Sequence, residues 1–441
     1  MAIEQVDDEP ESAAKTIPHW YSADNDDVPT LVDGDGVEVF DADGRAYLDF
    51  QSQLYCVNAG HSNQRIIDAI ADQLARIPYV SSGKHNDTRN ELVTRLLEVA
   101  PESMSQTLFS ISGSEANEAA VMLAREYADA PKVLTRWRSY HGATYGTASL
   151  TGDTDTSSYI QSHAAMTGNA KFLPPIPAAF DAESPDELAE QAANHLEFVI
   201  RNEGPDSIAA ILTEIVAGSS GGFTAPPGYF ERVRELCDEY DILLIADEVI
   251  TGFGRTGEWF GAQSEGVQPD LMTFAKGVTS SYVPLAGVMM NAAIADYVAE
   301  EGFDIGQTFA GHPVGCAAGL AAMDVYEDEL LENARSVAPH LESRLTALEE
   351  RFDVVSSVHG RGLLWGVEFT DPETGEPFVD PRVSDADNPV KSVLSAAGEN
   401  GAIFGMGRPG IQLLVSPPLC VTETEIDEAV DILENAIETA F

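Results

Sequence analysis

The sequence predicts an α/β protein with a large domain built on a mainly parallel sheet and a smaller α+β domain. Between residues 60 and 326, short apolar runs alternate with helical patterns, which is typical of a parallel sheet covered by helices. After Tyr326 the pattern changes, and one long helical stretch precedes two strand-like segments. The chain is also large enough for both units, because 441 residues with 44% hydrophobic content can form more than one core.

The N-terminal part, residues 1–59, is predicted to form an arm and a portion of the small domain. Its first two dozen residues are polar and acidic, as expected of a loosely held arm. From Thr30 to Phe50, apolar and polar residues alternate around Asp-Gly turns. This alternation predicts a short antiparallel meander.

The large domain is predicted to span residues 60–326. Its clearest strands are SIAAILT at 207–213, DILLIAD at 241–247 and DLMTFA at 270–275. Directly before the second strand, apolar residues from Tyr229 to Tyr240 fall on one face of a 3.6-residue period, which predicts a helix. A helix followed at once by a strand is half of a βαβ unit.

The C-terminal small domain is predicted to span residues 327–441. A long helix is expected over residues 332–352, with strands following at 353–358 and 363–369. Thr422 and Glu425 have the spacing of a capping box, so the last helix is expected to begin there.

The charge balance is strongly acidic, with 73 Asp and Glu against 24 Lys and Arg and a formal net charge of −49. Six of the basic residues are lysines: Lys15, Lys84, Lys132, Lys171, Lys276 and Lys391. An acidic, lysine-poor surface on a chain of ordinary hydrophobicity indicates a halophilic protein. The sequence has no basic stripe that would neutralise phosphates, which argues against nucleic acids or anionic membranes as partners.

The cysteines and the N-terminus indicate where the protein resides. Cys56, Cys237, Cys316 and Cys420 are far apart and lack C-x-x-C spacing, so neither a metal site nor a disulfide framework is predicted. The N-terminus is acidic where a signal peptide is positively charged, and no segment has the length and apolar character of a membrane span. We expect a protein of the reducing cytoplasm.

The segment SGSEANEAA at 112–120 places a glycine-containing turn before a helix. The backbone N–H groups of Ser112, Gly113 and Ser114 would point out of the helix start, where the helix dipole favours a negative charge. The segment therefore predicts a phosphate-binding turn. An ordinary serine-capped helix is the alternative that this segment alone leaves open.

Two further segments place charged residues at strand ends, where open α/β sheets bind ligands. In DEVITGFGRTG (247–257), Asp247 ends an apolar strand, and a buried acid needs a cation such as a protonated pyridine nitrogen. In FAKG (274–277), Lys276 follows another strand, and desolvation would lower its pKa and favour Schiff-base chemistry. Taken singly, Asp247 could be a helix cap or an ion-pair member, and Lys276 a salt-bridged structural lysine.

Six segments in this order resemble the class III aminotransferases, which are pyridoxal-phosphate enzymes of fold type I. They are SGSEANEAA, YHG (140–142), DEVITGFGRTG, FAKG, TFAGHP (308–313) and RPGIQLLVSPPL (408–419). The resemblance extends from the Thr30 meander to the terminal helix. It implies a cofactor-binding large domain with a mainly parallel, seven-stranded type of sheet.

The resemblance also implies a pyridoxal 5'-phosphate site. Lys276 would hold the cofactor as a Schiff base and move the substrate proton, and Asp247 would keep the pyridine nitrogen protonated, which makes the ring an electron sink. The other implied cofactor-binding residues are Ser112, Gly113 and Ser114 at the phosphate, Tyr140 and Val249 on the ring faces, and His141 and Glu214 nearby. For His141, as for His312, a structural role is expected rather than a catalytic one.

A homodimer follows from the same resemblance. Thr308 matches the family residue that reaches the phosphate from the neighbouring subunit, so two copies would complete each site. Whether such dimers pair into tetramers is left open by the sequence.

The substrate is predicted from departures from the family pattern. Members that act on 4-aminobutyrate or acetylornithine usually read E-P-V-Q-G-E-G-G, and their second glutamate pairs with an arginine. Here the segment is EIVAGSSGG (214–222), with Ser219 in place of that glutamate, which is more similar to the pyruvate-linked omega-transaminases. Tyr55 would form a wall of the substrate pocket. Arg408 would bind the acceptor carboxylate through paired hydrogen bonds.

We therefore expect an omega-amine or omega-amino acid as donor, such as β-alanine, taurine or a diamine, and pyruvate as acceptor. One alternative is transamination of 4-aminobutyrate or acetylornithine with 2-oxoglutarate, and another is an aminomutase or racemase on the same scaffold. A non-catalytic binding protein of this fold is a third alternative. The presence of both Asp247 and Lys276 argues against it.

The acidic surface leads to a first prediction. Because concentrated salt screens repulsion between carboxylates, the melting temperature should rise as KCl is added from dilute buffer to molar concentration. Thermal unfolding followed by circular dichroism across this range measures the effect. A melting temperature that does not change with salt would contradict the halophilic interpretation.

Overall fold

The computed structural model describes residues 19, 29–163, 168–380, 383–384 and 386–441. The predicted N-terminal arm thus lies almost wholly outside the described residues. The strands are β1 Leu31–Asp35, β2 Glu38–Asp41, β3 Ala46–Asp49, β4 Met104–Ser110, β5 Lys132–Arg136, β6 Asn169–Phe172, β7 Ile208–Thr213, β8 Leu243–Asp247, β9 Leu271–Phe274, β10 Ala286–Asn291, β11 Val355–Arg361, β12 Leu364–Phe369, β13 Ala402–Ile403, β14 Gly405–Gly407 and β15 Gln412–Val415.

The helices alternate with the strands of the central region, as the sequence predicts. They are α1 Ser52–Tyr55, α2 Gln64–Arg76, α3 Asp87–Val99, α4 Gly113–Ala128, α5 Tyr145–Leu150, α6 Thr154–His163, α7 Pro185–Glu203, α8 Tyr229–Tyr240, α9 Gly261–Ser264, α10 Ala292–Glu301, α11 Pro313–Val325, α12 Leu331–Arg351, α13 Pro389–Glu399 and α14 Glu423–Ala440. Among the described residues, no helix combines the length and the apolar character that crossing a bilayer requires.

A mainly parallel sheet organises the centre of the molecule. In the described part of the chain it has seven strands in the order β4-β10-β9-β8-β7-β5-β6. Strand β10 runs antiparallel to both of its neighbours, and the pairs β9-β8, β8-β7, β7-β5 and β5-β6 are parallel. The predicted α/β class is confirmed.

This topology brings distant parts of the chain to one edge. Strands β4, β5, β7, β8 and β9 all point the same way, so the residues at and just after their carboxyl ends are neighbours. These residues are Ser112, Arg136, Glu214, Asp247 and Lys276. The edge is therefore where a ligand site is expected.

The predicted meander and the C-terminal strands also form. Strands β1, β2 and β3 pair antiparallel, and β3 then pairs in parallel with β13, with Leu48 opposite Ala402. Residues from both ends of the described chain thus share one sheet, while β11, β12, β15 and β14 form another. The domain boundaries at residues 59/60 and 326/327 stay a prediction.

Short sequence patterns determine where two of the predicted helices form. The apolar face of α8 is buried, including Val233 and Leu236, directly before β8. The Thr422 side chain accepts a hydrogen bond from the Glu425 N–H, and Glu425 caps the Thr422 N–H in return, so the predicted capping box is confirmed at the start of α14.

Arg255 is fully buried, and its side chain forms hydrogen bonds with distant segments of the chain. Its guanidinium donates hydrogen bonds to the carbonyls of Leu363 and Pro417, to Asn58 Oδ1 at 2.8 Å and to Ser52 Oγ at 3.3 Å. All of these acceptors are neutral. Burial lowers the pKa of Arg255 to about 10, so the group still carries its charge at neutral pH.

Removal of the Arg255 hydrogen bonds should destabilise the protein. The Arg255→Ala variant leaves several buried oxygens without a donor, which should lower the free energy of unfolding by about 3 kcal/mol or more. Arg335→Ala is the matched control, because Arg335 is exposed and contacts the same loop at Gly257 and Glu258. Denaturant unfolding at fixed salt measures both, and equal small losses would contradict the assigned role.

Candidate active site

The carboxylate of Asp247 is the most constrained group at this edge. Asp247 is 3% exposed. Its Oδ2 accepts a hydrogen bond from Asn117 Nδ2 at 2.8 Å and lies 2.8 Å from His141 Nδ1, while its Oδ1 accepts from the Val249 N–H at 3.1 Å. These contacts fix the carboxylate in place at the end of β8.

Two residues that the sequence did not single out complete this network. Asn117 lies on α4 and also donates to the His141 carbonyl at 2.9 Å. Thr273, which pairs with Asp247 in the β8-β9 register, donates from Oγ1 to Asn117 Oδ1 at 2.9 Å. The position of Asn117 inside SGSEANEAA was the available signal. Its partner, however, lies 130 residues away in the chain.

His141 lies beside Asp247, and the structural role expected of it stays a prediction. The residue is buried, and its Nδ1 faces Asp247. Its backbone N–H donates to Thr151 Oγ1 at 2.9 Å. The other histidine considered, His312, caps α11 by accepting from the Val314 N–H at 3.3 Å.

Lys276 begins a 3₁₀ turn, Lys276–Thr279, directly after β9, in a left-handed conformation with φ of 49°. The side chain is half-buried. Burial lowers the pKa of its ammonium group, whereas the nearby Cys56, Asp247 and Glu214 act in the opposite direction. A lowered pKa makes the neutral, nucleophilic amine more available.

Helix α4 begins in the SGSEANEAA segment with a serine cap, and the role of this turn in phosphate binding stays a prediction. Ser112 is the N-cap, and its hydroxyl accepts from the Glu115 N–H at 3.2 Å. At Gly113, a Cβ would lie 2.9 Å from both methyl groups of Val249, so this turn and the segment after β8 are in close contact. Ser114 Oγ accepts from the Ala143 N–H at 3.2 Å.

The close approach of the Tyr140–Gly142 segment to this turn depends on glycine. Gly142 has a φ of 131°, and a Cβ there would lie 2.4 Å from Ser114 Oγ and 2.6 Å from Thr147 Oγ1. The structure therefore brings Ser114, His141, Val249 and Asp247 to one place.

Glu214 is not a free carboxylate. It is 4% exposed, its Oε2 lies 2.8 Å from the Arg136 guanidinium, and its Oε1 accepts from the Gly218 N–H at 3.0 Å. Arg136 also lies over the Phe223 ring, with 4.7 Å from Cζ to the ring centroid. This buried partner was missed in the sequence, where Arg136 is only the last residue of a short strand.

Tyr55 and Tyr140 place aromatic surfaces near the charged groups. The Lys276 Nζ lies 5.8 Å from the centroid of the buried Tyr55 ring. Arg408 Cζ lies 5.2 Å from the centroid of the Tyr140 ring. Burial raises the pKa of Tyr140, and the positive charge of Arg408 opposes that shift.

Thr308, the residue predicted to reach a neighbouring subunit, lies at the surface. It is exposed, and its carbonyl accepts a hydrogen bond from Tyr79 Oη at 3.0 Å. Tyr79, Ile305 and Phe309 are exposed large apolar side chains of this region. Thr308 therefore lies on an apolar part of the surface.

The assembled residues fit a phosphorylated pyridine aldehyde. An amine of lowered pKa suits an aldehyde carbon, a fixed and buried carboxylate suits a cationic ring nitrogen, and the start of α4 suits a phosphate. The negative charges of Asp247 and Glu214 oppose the lowering of the Lys276 pKa by burial.

Comparison with known proteins identifies similar chains over nearly the full length. Residues 21–437 match the family model of aminotransferase class-III. A diaminobutyrate–2-oxoglutarate transaminase of Halomonas elongata is 34% identical over 92% of this chain and 89% of its own. A taurine–pyruvate aminotransferase of Bilophila wadsworthia is 33% identical over 96% of this chain and 94% of its own.

A solved structure agrees with the fold. The omega transaminase of Pseudomonas jessenii in complex with PMP is 32% identical, has a TM-score of 0.91, and the match covers 98% of each chain. This likeness confirms the predicted fold type, a large parallel-sheet unit with smaller sheets beside it.

The contact between Gly113 and Val249 gives a stability prediction. Gly113→Ala should lower the free energy of unfolding by about 1–3 kcal/mol, because the new methyl group meets the Val249 side chain. In a Val249→Ala background the same change should be close to neutral, and a double-mutant cycle measures the difference. An equal loss in both backgrounds would show that the two side chains do not compete for this space.

Proposed function

The chain belongs to the class III aminotransferases, and on this basis we propose that it transfers an amino group from an omega-amine or omega-amino acid to pyruvate. As in the rest of this family, the cofactor is pyridoxal 5'-phosphate. The environment of Arg408 is the observation that supports pyruvate as the acceptor. The guanidinium of this arginine lies over the Tyr140 ring and is partly exposed.

The proposed roles of Lys276 and Asp247 follow from their surroundings. Lys276 would bind the cofactor aldehyde and, once released, take a proton from the substrate carbon that bears the amino group; its lowered pKa favours both tasks. Asp247 would hold a proton on the ring nitrogen, with Asn117 and His141 fixing its orientation. When bound, the cofactor supplies an electron sink for the carbon that loses its proton.

The remaining proposed contacts divide between phosphate and ring. The N–H groups at the start of α4, from Ser112 to Ser114, would bind the phosphate. Tyr140 and Val249 would lie on opposite faces of the ring. Glu214, which is neutralised by Arg136, would shape the site near the ring and not act as a base.

A homodimer is part of the proposal. Thr308 lies on an exposed surface with Tyr79 and Phe309, and a second copy that covers this surface would exclude water from the apolar rings. In such a dimer Thr308 would reach the phosphate of the neighbouring site.

Pyruvate is favoured over 2-oxoglutarate because of how the guanidinium groups are used. A second carboxylate needs a second cation. Arg136 is compensated by the carboxylate of Glu214, and the Arg138 guanidinium is held by the neutral Gln412 Oε1 at 2.8 Å. Arg408 lies over Tyr140 and keeps one edge open although its Nη1 contacts Asp153, so it suits one carboxylate. The Ser219 carbonyl accepts from the Arg408 N–H at 2.8 Å, so position 219 contacts this arginine through its backbone.

The donor is proposed as a class. β-Alanine, taurine and diamines share a primary amine at the end of a chain, and relatives that are named for taurine, for putrescine and for diaminobutyrate match this chain at 32–34% identity. The second candidate uses 2-oxoglutarate as acceptor, which is supported by the name of the Halomonas elongata relative.

An acceptor panel in high salt tests the proposal. Pyruvate should be turned over at least about tenfold faster than 2-oxoglutarate in kcat/KM, because the extra carboxylate lacks a partner. Lys276→Ala should abolish turnover with both acceptors, whereas Lys391→Ala, at an exposed position, should behave as wild type. A preference for 2-oxoglutarate would favour the second candidate, and activity that survives in Lys276→Ala would refute the assignment of Lys276.

A further inference from the structure

Arg408 is already paired with a carboxylate inside its own chain. Its Nη1 contacts Asp153 Oδ2 and lies 3.3 Å from Thr156 Oγ1. The side chain of Asp153 is 5% exposed, whereas that of Arg408 is 28% exposed. The aspartate of this pair is thus shielded from solvent, whereas the arginine is partly exposed.

Asp153 is held independently of Arg408. It precedes α6, and its Oδ2 accepts from the Thr156 N–H at 3.2 Å and from Thr156 Oγ1 at 2.8 Å, as an N-cap residue does. The aspartate therefore stays in place whether or not the arginine binds a substrate.

One edge of the guanidinium remains available for a ligand. In the described part of the chain, the side-chain hydrogen bonds of Arg408 all involve Nη1. Its Nε and Nη2 form the fork that binds a carboxylate through two parallel hydrogen bonds. The same guanidinium lies over Tyr140, so a carboxylate on this edge would be next to the proposed cofactor ring.

We propose that Asp153 is a specificity-determining residue, which neutralises Arg408 when the substrate has no acid group and opposes the binding of a carboxylate when it has one. The inference rests on the proposed function, because it takes Arg408 as the group that binds the acceptor carboxylate. In this role Asp153 supplies the negative charge next to Arg408, which the neutral Ser219 cannot supply.

Electrostatics gives the direction of the effect. An unpaired guanidinium loses hydration when an apolar substrate covers it, and a fixed carboxylate beside it removes much of that penalty. The same carboxylate repels a second negative charge a few ångströms away. Asp153 should therefore make the kcat/KM values of acid-bearing and acid-free substrates more similar. A transaminase that binds both kinds of substrate in one pocket requires this.

Replacement of Asp153 by asparagine tests this without removing the helix cap, because Asn is as good an N-cap as Asp. The substrates are pyruvate, a keto acid, and propanal, an aldehyde with the same number of carbon atoms and no acid group. Both react with the same enzyme form, loaded with pyridoxamine phosphate. In Asp153→Asn the ratio of kcat/KM for pyruvate to that for propanal should rise about tenfold. Asp153→Ser, which also keeps a capping oxygen, should change the ratio in the same direction.

A binding measurement and a control variant accompany the kinetics. Propanoate, which cannot react, should bind to Asp153→Asn about tenfold more tightly than to wild type in calorimetry at the same salt. Asp431→Asn is the control, because Asp431 is an exposed residue of α14 that forms an ion pair with Arg344 on α12. It should leave the ratio and the propanoate affinity unchanged.

The outcomes separate this inference from the proposed function. An unchanged ratio in both Asp153 variants would show that the aspartate is only a helix cap, and a lower ratio would show that it only anchors Arg408; either result overturns the inference. Arg408→Ala tests the proposed function by itself. If that change leaves kcat/KM for pyruvate intact, the assignment of the acceptor site fails regardless of Asp153.

Discussion

The buried carboxylate of Asp247 is the group on which the site depends. A negative charge at the end of a central strand is stable only where hydrogen-bond donors and a cation compensate it. Asn117, His141 and the Val249 N–H supply the donors, and they come from α4, the segment after β5 and the segment after β8. The parallel sheet makes this convergence possible, because its strand ends meet at one edge.

The fold could be predicted where the signal is local. The apolar period of α8, the apolar run of β8 and the Thr422 capping box each depend on residues that are close together in the sequence, and all three are present in the structure. For Asp247 and Lys276, the strand ends could be located from these runs. The chemical roles of Asp247 and Lys276 came from the family resemblance and not from the spacing of apolar residues.

Long-range pairings could not be read from the sequence. The partners Arg136 and Glu214, Asn117 and Asp247, and Asp153 and Arg408 are 78, 130 and 255 residues apart. Partial burial does not by itself identify Lys276 as the functional lysine. Lys171 is half-buried too, donates to the Leu150 carbonyl at 2.8 Å and has a pKa lowered to about 8 by burial, which fits a structural role.

The parallel pairing of β3 with β13 has a consequence for biosynthesis. Residues 46–49 leave the ribosome more than 350 residues before their partner strand at 402–403 exists. Until translation is nearly finished, β3 has an open edge that could pair with other nascent chains. The edge is closed only when Ala402 and Ile403 have been made and pair with Leu48 and Asp49, so the final form of this sheet requires the C-terminal part of the chain.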